Sequence, residues 1–470
     1  SVSGWRFYIA DYIFFIPSGV PPEIVLLIRF DLGGQSRRDK MMFLACCYND
    51  PDMLIDPDTI YPTRADCPEA PKSRFKPQPR RTLSPRRWKL LFNEEGCLDA
   101  AGMIKRVQRG GIHPNIKGEV WEYLLGCYDP KSTTEQRNQL RQQRRLEYEK
   151  LKTKCREMDT TVGSGRVITM PVITEDGQPI EDPNANGGAR ASSVGVEQQT
   201  SNSTLPKEVI QWKLLLHQIG LDVNRTDRTL VYYESQENLA RLWDILSVYA
   251  WVDNDIGYCQ GMSDLCSPIS IILEHEADAF WCFERLMRRV RDNFKSTSTS
   301  IGVRSQLTTL SSIMKAVDPK LHEHLENLDG GEYLFAFRML MVLFRREFSF
   351  IDTMYLWELM WSMEYNPGLF SMLESKTGAS NANDENTLKQ CGKFEKKNLQ
   401  AAKKEEQIPL SVFVVASVIE AKNKRLMGEA KGLDDVVKIL NEITGSIDAK
   451  KACRGALTIH EKYLTTVKAS

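Results

Sequence analysis

Apolar residues in this chain recur at helical spacing, and the elements they imply follow one another closely from residue 84 onward. Leu239, Leu242, Trp243, Leu246 and Ala250 fall at i, i+3, i+4, i+7 and i+11, which predicts a one-sided helix over Glu237–Val252. Ser267–Leu286 and Tyr333–Phe348 are apolar around most of their circumference and predict interior helices. Leu410–Glu420 predicts another apolar helix, and Leu433–Leu440 one more. Residues 131–158 read instead as a polar helix, with Arg141, Arg144, Arg145, Lys150 and Lys152 on an expected solvated face. A helical region opens near Ser84-Pro85, where serine caps and proline sits in the first turn. No alternating run of useful length argues for a sheet, so the expected class is all-α.

The polar stretches between these elements set the organisation. Residues 160–206 and 374–407 hold few large apolar side chains and are expected to be disordered insertions within one helical domain spanning residues 86–465. Pro57, Pro62, Pro68, Pro71, Pro77, Pro79 and Pro85 make residues 56–85 an extended linker, read as solvated, whose basic end at Arg80-Arg81 and Arg86-Arg87 could otherwise touch anionic lipid. Residues 1–55 form an N-terminal region of unknown fold, with apolar pieces compatible with a few strands or a short helix.

Composition narrows the chemistry. Lys plus Arg equals Asp plus Glu at 62 each, so no global field points to nucleic acid or acidic lipid. Eleven scattered cysteines form no C-x-x-C pair, which implies a reducing, cytoplasmic context and no metal. The apolar run Trp5–Ile16 is broken by Arg6 and Asp11 and is shorter than the ~20 residues of a membrane span. No P-loop G-x-x-x-x-G-K-[ST] is present, so the chain is not itself expected to bind a nucleotide that way.

Two stretches carry the candidate site. Ile219-Gly220-Leu221-Asp222-Val223-Asn224-Arg225 places an arginine three residues after an aspartate, which alone also reads as a surface i, i+3 pair. Gly257-Tyr258-Cys259-Gln260-Gly261-Met262-Ser263-Asp264-Leu265 places a glutamine between glycines, which alone also reads as a tight turn. Around them lie Gly111-Ile112-His113-Pro114-Asn115-Ile116-Lys117-Gly118-Glu119-Val120-Trp121, Asp318–Leu325, Phe335-Ala336-Phe337-Arg338, Phe344-Arg345-Arg346-Glu347-Phe348 and Leu356-Trp357-Glu358.

In this order the motifs resemble the TBC family of Rab GTPase-activating proteins, over roughly residues 105–130 and 207–365 with weaker support to about 465. Three departures stand out: His113 before the proline, Lys117 where arginine is usual, and Glu358 where aspartate is usual. The resemblance implies an all-α domain that accelerates GTP hydrolysis by a Rab in vesicle traffic. It implies that Arg225 and Gln260 act as paired catalytic fingers supplied in trans, with Asp222, Tyr258, Gly261 and Asp264 as supporting residues. The chain would hold no cofactor of its own, GTP and Mg²⁺ being bound by the partner. That partner would be a GTP-bound Rab, met in the cytoplasm or at an endomembrane surface without a membrane span. The alternative is a TBC scaffold that binds a Rab or another partner without activating it.

Overall fold

The computed structural model describes residues 4–9, 12–17, 56–67, 70–170, 173–174, 206–295, 302–374, 385–401, 408–442, 444–445 and 447–469. Near the N-terminus, β1 (Gly4–Ile9) and β2 (Tyr12–Pro17) pair antiparallel. The expected linker carries α1 (Pro57–Ile60) and leads to α2 (Pro85–Lys89). The first half of the domain runs α3 (Ala100–Gly110), α4 (Lys117–Leu124), α5 (Thr134–Met158), α6 (Lys207–Arg225), α7 (Gln236–Val252), α8 (Met262–Ile272) and α9 (Glu276–Phe294). The second runs α10 (Gly302–Val317), α11 (Pro319–Asn327), α12 (Phe337–Met341), α13 (Phe350–Met363), α14 (Leu369–Glu374), α15 (Glu385–Gln390), α16 (Lys393–Ala401), α17 (Leu410–Glu420), α18 (Asn423–Glu429), α19 (Leu433–Asn441) and α20 (Ala449–Ala469). Apart from the N-terminal hairpin the described domain is helical, as the apolar spacing requires.

Two packed groups build the core. α7 lies against α6, α8 and α9, while α13 lies against α3 and α20, and α17 against α10 and α20. Trp121, Trp243 and Trp357 are wholly buried among them. Burying such indoles supplies much of the apolar free energy that offsets chain ordering. Among the described residues no helix is long and apolar enough to cross a membrane.

Several expectations need correction. The proline-rich segment is extended but not solvated. Phe75 is buried and stacks on Tyr355 with ring centroids 4.1 Å apart, and the Arg74 and Phe75 amides donate to the Asp352 carboxylate at 2.9 and 2.8 Å. Further along, the Leu83 amide donates to the Gly111 carbonyl at 3.0 Å. Proline removes donors, but the amides that remain find partners on the domain.

The polar helix α5 is docked rather than solvated. Arg145 pairs with Asp278 at 2.5 Å, and Lys152 reaches both Asp244 at 2.8 Å and Glu276 at 2.5 Å. Its cations serve as the contact surface, because α7 and α9 present carboxylates to it.

The insertions are narrower than their composition suggested. Residues 160–170 pack beside α6 and α7, with Val162 buried and the Gly163 amide donating to Asp244 at 2.9 Å. Within the second stretch, α15 and α16 bring Cys391 and Phe394 into the core. Residues 171–172, 175–205, 375–384 and 402–407 lie outside the described residues, as do the side chains of residues 1–55.

Ser267–Leu286 is two helices, since the His275 side chain accepts from the Ala277 amide and starts α9 afresh. Tyr333–Phe348 is a short 3-10 turn, α12 and an irregular stretch in which Leu343 and Phe344 have φ of 46° and 62°. Apolarity on all sides reports burial and leaves the backbone path open.

Candidate functional site

Arg225 is the last residue of α6, which runs unbroken from Lys207. The helix stops there because Thr226 is extended and Asp227 has φ 47°. Thr226 closes the end by donating its hydroxyl to the Asp222 carbonyl at 2.7 Å, and it lies 2.8 Å from the Ser263 hydroxyl. Asp227 is fixed in turn by Ser267 at 2.5 Å and by Arg345. The Arg64 amide donates to the Thr229 carbonyl at 2.7 Å, so the proline-rich segment also buttresses the loop after Arg225.

Gln260 sits in the loop that leads into α8. The loop begins at Asp253, which accepts from Arg291 at 2.7 and 2.6 Å and from Tyr249 at 2.9 Å. Those Arg291 hydrogen bonds hold the Asp253 carboxyl below the usual range. Gly261, with φ 103°, ends the loop and starts the helix. A Cβ there would fall 2.9 Å from the Val342 side chain, so glycine is required on both counts.

Asp222 joins the two halves. Its side chain is 2% exposed, and one oxygen accepts from Arg225 at 2.5 Å while the other accepts from Tyr258 at 2.6 Å. A buried carboxylate must be satisfied in this way to persist. Burial pushes the Tyr258 phenol well above its ordinary range, so it stays protonated and remains a donor. The Arg225 side chain is 58% exposed despite that anchor, and Gln260 is exposed. Both line one cavity of about 290 Å³, together with Asp222, Gly261 and Asp264.

All six residues singled out in the sequence therefore gather in one place. Tyr258 contributes through Asp222 rather than by lining the cavity. The sequence reading missed Arg346, which lines the same cavity and donates to Asp264 at 2.8 Å, raising the guanidinium's own pKa. Thr226, Asp227 and Ser263 were missed as well. Their signal was present in the Phe344–Phe348 motif and in residues flanking Arg225 and Gly261, but chemistry alone did not single them out. Among the described residues no group of three or more His, Cys, Asp or Glu is placed to hold a metal ion.

The arrangement presents an anchored, exposed cation and a carboxamide on one concave polar surface.

Residues 189–373 match the model of the Rab-GTPase-TBC domain. The chain is 28% identical to Rab GTPase-activating protein 22 of Arabidopsis thaliana, covering 82% of each chain. It is 28% identical to TBC1 domain family member 17 of Homo sapiens over 80% of this chain, but spans only 45% of that relative. The fold is similar to the Ypt/Rab-GAP domain of Gyp1p, with a TM-score of 0.51 at 19% identity over 80% of this chain and 96% of that one. The chain therefore carries a Rab-GTPase-TBC domain over residues 189–373 and is similar along most of its length to a Rab GTPase-activating protein.

Proposed function

We propose that this chain accelerates GTP hydrolysis by a Rab-family GTPase, with Arg225 and Gln260 entering the partner's nucleotide site together. The observation that carries this reading is the shared cavity: the guanidinium and the carboxamide face one accessible surface, tied through Asp222 and Tyr258.

Phosphoryl transfer to water develops charge on the oxygens around the γ-phosphorus and needs a water held in line. A guanidinium stays charged and offers two donors in one plane. Supplied in trans, it contributes about 10³–10⁵ in rate. Asp222 limits the rotamers of Arg225, so less side-chain entropy is lost on docking. The Gln260 amide accepts from the attacking water through its oxygen and donates through its nitrogen. The partner holds the GTP and Mg²⁺, and this chain adds no cofactor. Such a protein acts in vesicle traffic, at the cytoplasmic face of endomembranes.

Single-turnover hydrolysis against a panel of GTP-loaded Rabs tests the proposal. At least one Rab is accelerated by the wild-type chain, and Arg225→Ala and Gln260→Ala each remove most of that acceleration while GTP-dependent binding persists. Binding without acceleration by the wild-type chain would favour a scaffold instead.

A further inference from the structure

Cations gather where α3, the proline-rich segment and the start of α20 meet. Lys450, in the first turn of α20, donates to the Arg109 carbonyl at the end of α3 over 2.6 Å. The Arg81 backbone packs on Gly110, where an added Cβ would fall 2.5 Å from the Arg81 carbonyl carbon. Lys451 and Arg454 follow on α20, and Lys422 lies across from them between α17 and α18. Lys422, Lys451 and Arg454 border a cavity of about 510 Å³ that Ser417, Thr458 and Ile447 also line.

These charges are not spent on one another's partners. Arg81 donates to the Gln78 side chain at 3.2 Å, and among the described residues Arg81, Lys422, Lys451 and Arg454 are in no ion pair. Glu420 and Asp448 share the cavity rim, with Asp448 accepting from the Lys451 amide at 2.8 Å at the start of α20, so the three cations outnumber the carboxylates by one there and Lys450 and Arg81 add to the excess beside it.

Apart from the Lys450 contact with α3, the cluster is not arranged to stabilise the helix it sits on. Positive charge near a helix N-terminus opposes the helix dipole. Burial and the neighbouring charges of Arg454 and Arg81 hold the Lys450 ammonium below its usual range. The whole chain carries 62 basic and 62 acidic residues, so this is a local field with no global counterpart.

We propose that this face docks the chain onto a membrane leaflet bearing phosphorylated anionic lipids, with one head group seated in the 510 Å³ cavity. Clusters of four or more Lys and Arg on a helical surface suit such leaflets, because each cation near the surface contributes separately. Phosphate oxygens accept from Lys422, Lys451 and Arg454, and the Ser417 and Thr458 hydroxyls suit the hydroxyls of an inositol ring.

Vesicle flotation of the full chain tests this, with phosphatidylcholine alone, with added phosphatidylserine, and with added phosphatidylinositol bisphosphate. The variant R81Q/K422Q/K451Q/R454Q removes four charges and leaves the Lys450 contact in place. Its control, K150Q/K154Q/K315Q/K320Q, removes four exposed lysines elsewhere. The wild-type chain is expected to float with the bisphosphate vesicles and not with phosphatidylcholine alone. The patch variant should bind roughly a thousandfold more weakly, as the per-cation contribution implies, while the control binds like wild type. Equal loss in both variants, or no flotation of the wild-type chain, would overturn the proposal. So would tight binding of free inositol phosphate or of an RNA oligonucleotide without vesicle binding. Solution GTPase assays on soluble Rab should not distinguish the patch variant from wild type, which keeps this test separate from that of the finger residues.

Discussion

Lys117 and Glu358 form one buried ion pair between α4 and α13, and each departs from the TBC pattern in the opposite direction to the other. Lysine replaces a longer arginine, and glutamate replaces a shorter aspartate, so the span between backbones is kept. Trp121 donates to the same Glu358 oxygen at 3.1 Å. Burial raises the pKa of this carboxyl, and Lys117 pulls it back. Lys117→Met strands a buried carboxylate and should cost about 3–5 kcal/mol in urea unfolding. The double exchange K117R/E358D should lie closer to wild type than either single exchange, and equal or additive losses would refute the compensation.

Asp222 holds Arg225 directly and the loop carrying Gln260 through Tyr258, so under the proposed mechanism its loss should act on rate more than on affinity. Asp222→Asn frees Arg225 and weakens the Tyr258 contact, with an expected fall in accelerated single-turnover rate of about tenfold or more. Tyr258→Phe leaves one carboxylate oxygen without its donor, at about 1–3 kcal/mol of folding stability. Rab affinity, measured with a non-hydrolysable GTP analogue, should move much less than the rate in both variants.

Gly261→Ala should damage the Gln260 loop while leaving Arg225 anchored. The added methyl meets Val342 at 2.9 Å and the backbone holds φ 103°, which together should cost about 1–3 kcal/mol. Thermal unfolding measures the first effect. Hydrolysis at a temperature where the variant is folded measures the second, and full activity there would show that the loop tolerates the change.

Two buried groups should have opposing effects on stability between pH 4.5 and 6.5. Burial pushes the Glu122 carboxyl up to about 7 against the pull of Arg141, so its contribution is present at low pH and lost as pH rises through 7. Burial, with the nearby Lys397 charge, lowers His460 to about 4, so its contribution is present above 6.5 and lost as pH falls towards 4. In the shared window the folded state binds one proton more at Glu122 and one fewer at His460, and the two slopes cancel. Glu122→Gln should therefore uncover stability that rises with pH by about 1.4 kcal/mol per unit, and His460→Gln a fall of similar size. Urea midpoints across that range measure both, and unchanged slopes would contradict the assignment.

The helix α17 appears at Leu410–Glu420, and α7 within one residue of its expected start, because each has a clear apolar pattern and unambiguous ends. The candidate site was legible for a different reason: Asp222, Arg225, Tyr258 and Gln260 sit in two short motifs whose spacing the fold preserves. Arg346 was not, since its role depends on an 82-residue return to Asp264 that no local pattern encodes. The same holds for α5, where Arg145 and Lys152 looked solvated until α7 and α9 supplied Asp244, Glu276 and Asp278. Composition ranks a segment's own appetite for water and is silent on carboxylates brought from elsewhere.

The contact of Arg74 and Phe75 with Asp352 sets where the polypeptide can be cut. A recombinant fragment trimmed to the family-matched residues 189–373 would lose both amides, leaving the buried carboxylate in the first turn of α13 with only the Ser349 hydroxyl donating to it. It would also strip α3 and α4 from α13, and α17 and α20 would go with the other end. Fragments for crystallisation or assay should therefore begin before residue 56 and run past residue 460, keeping both ends of the chain on the helix they enclose.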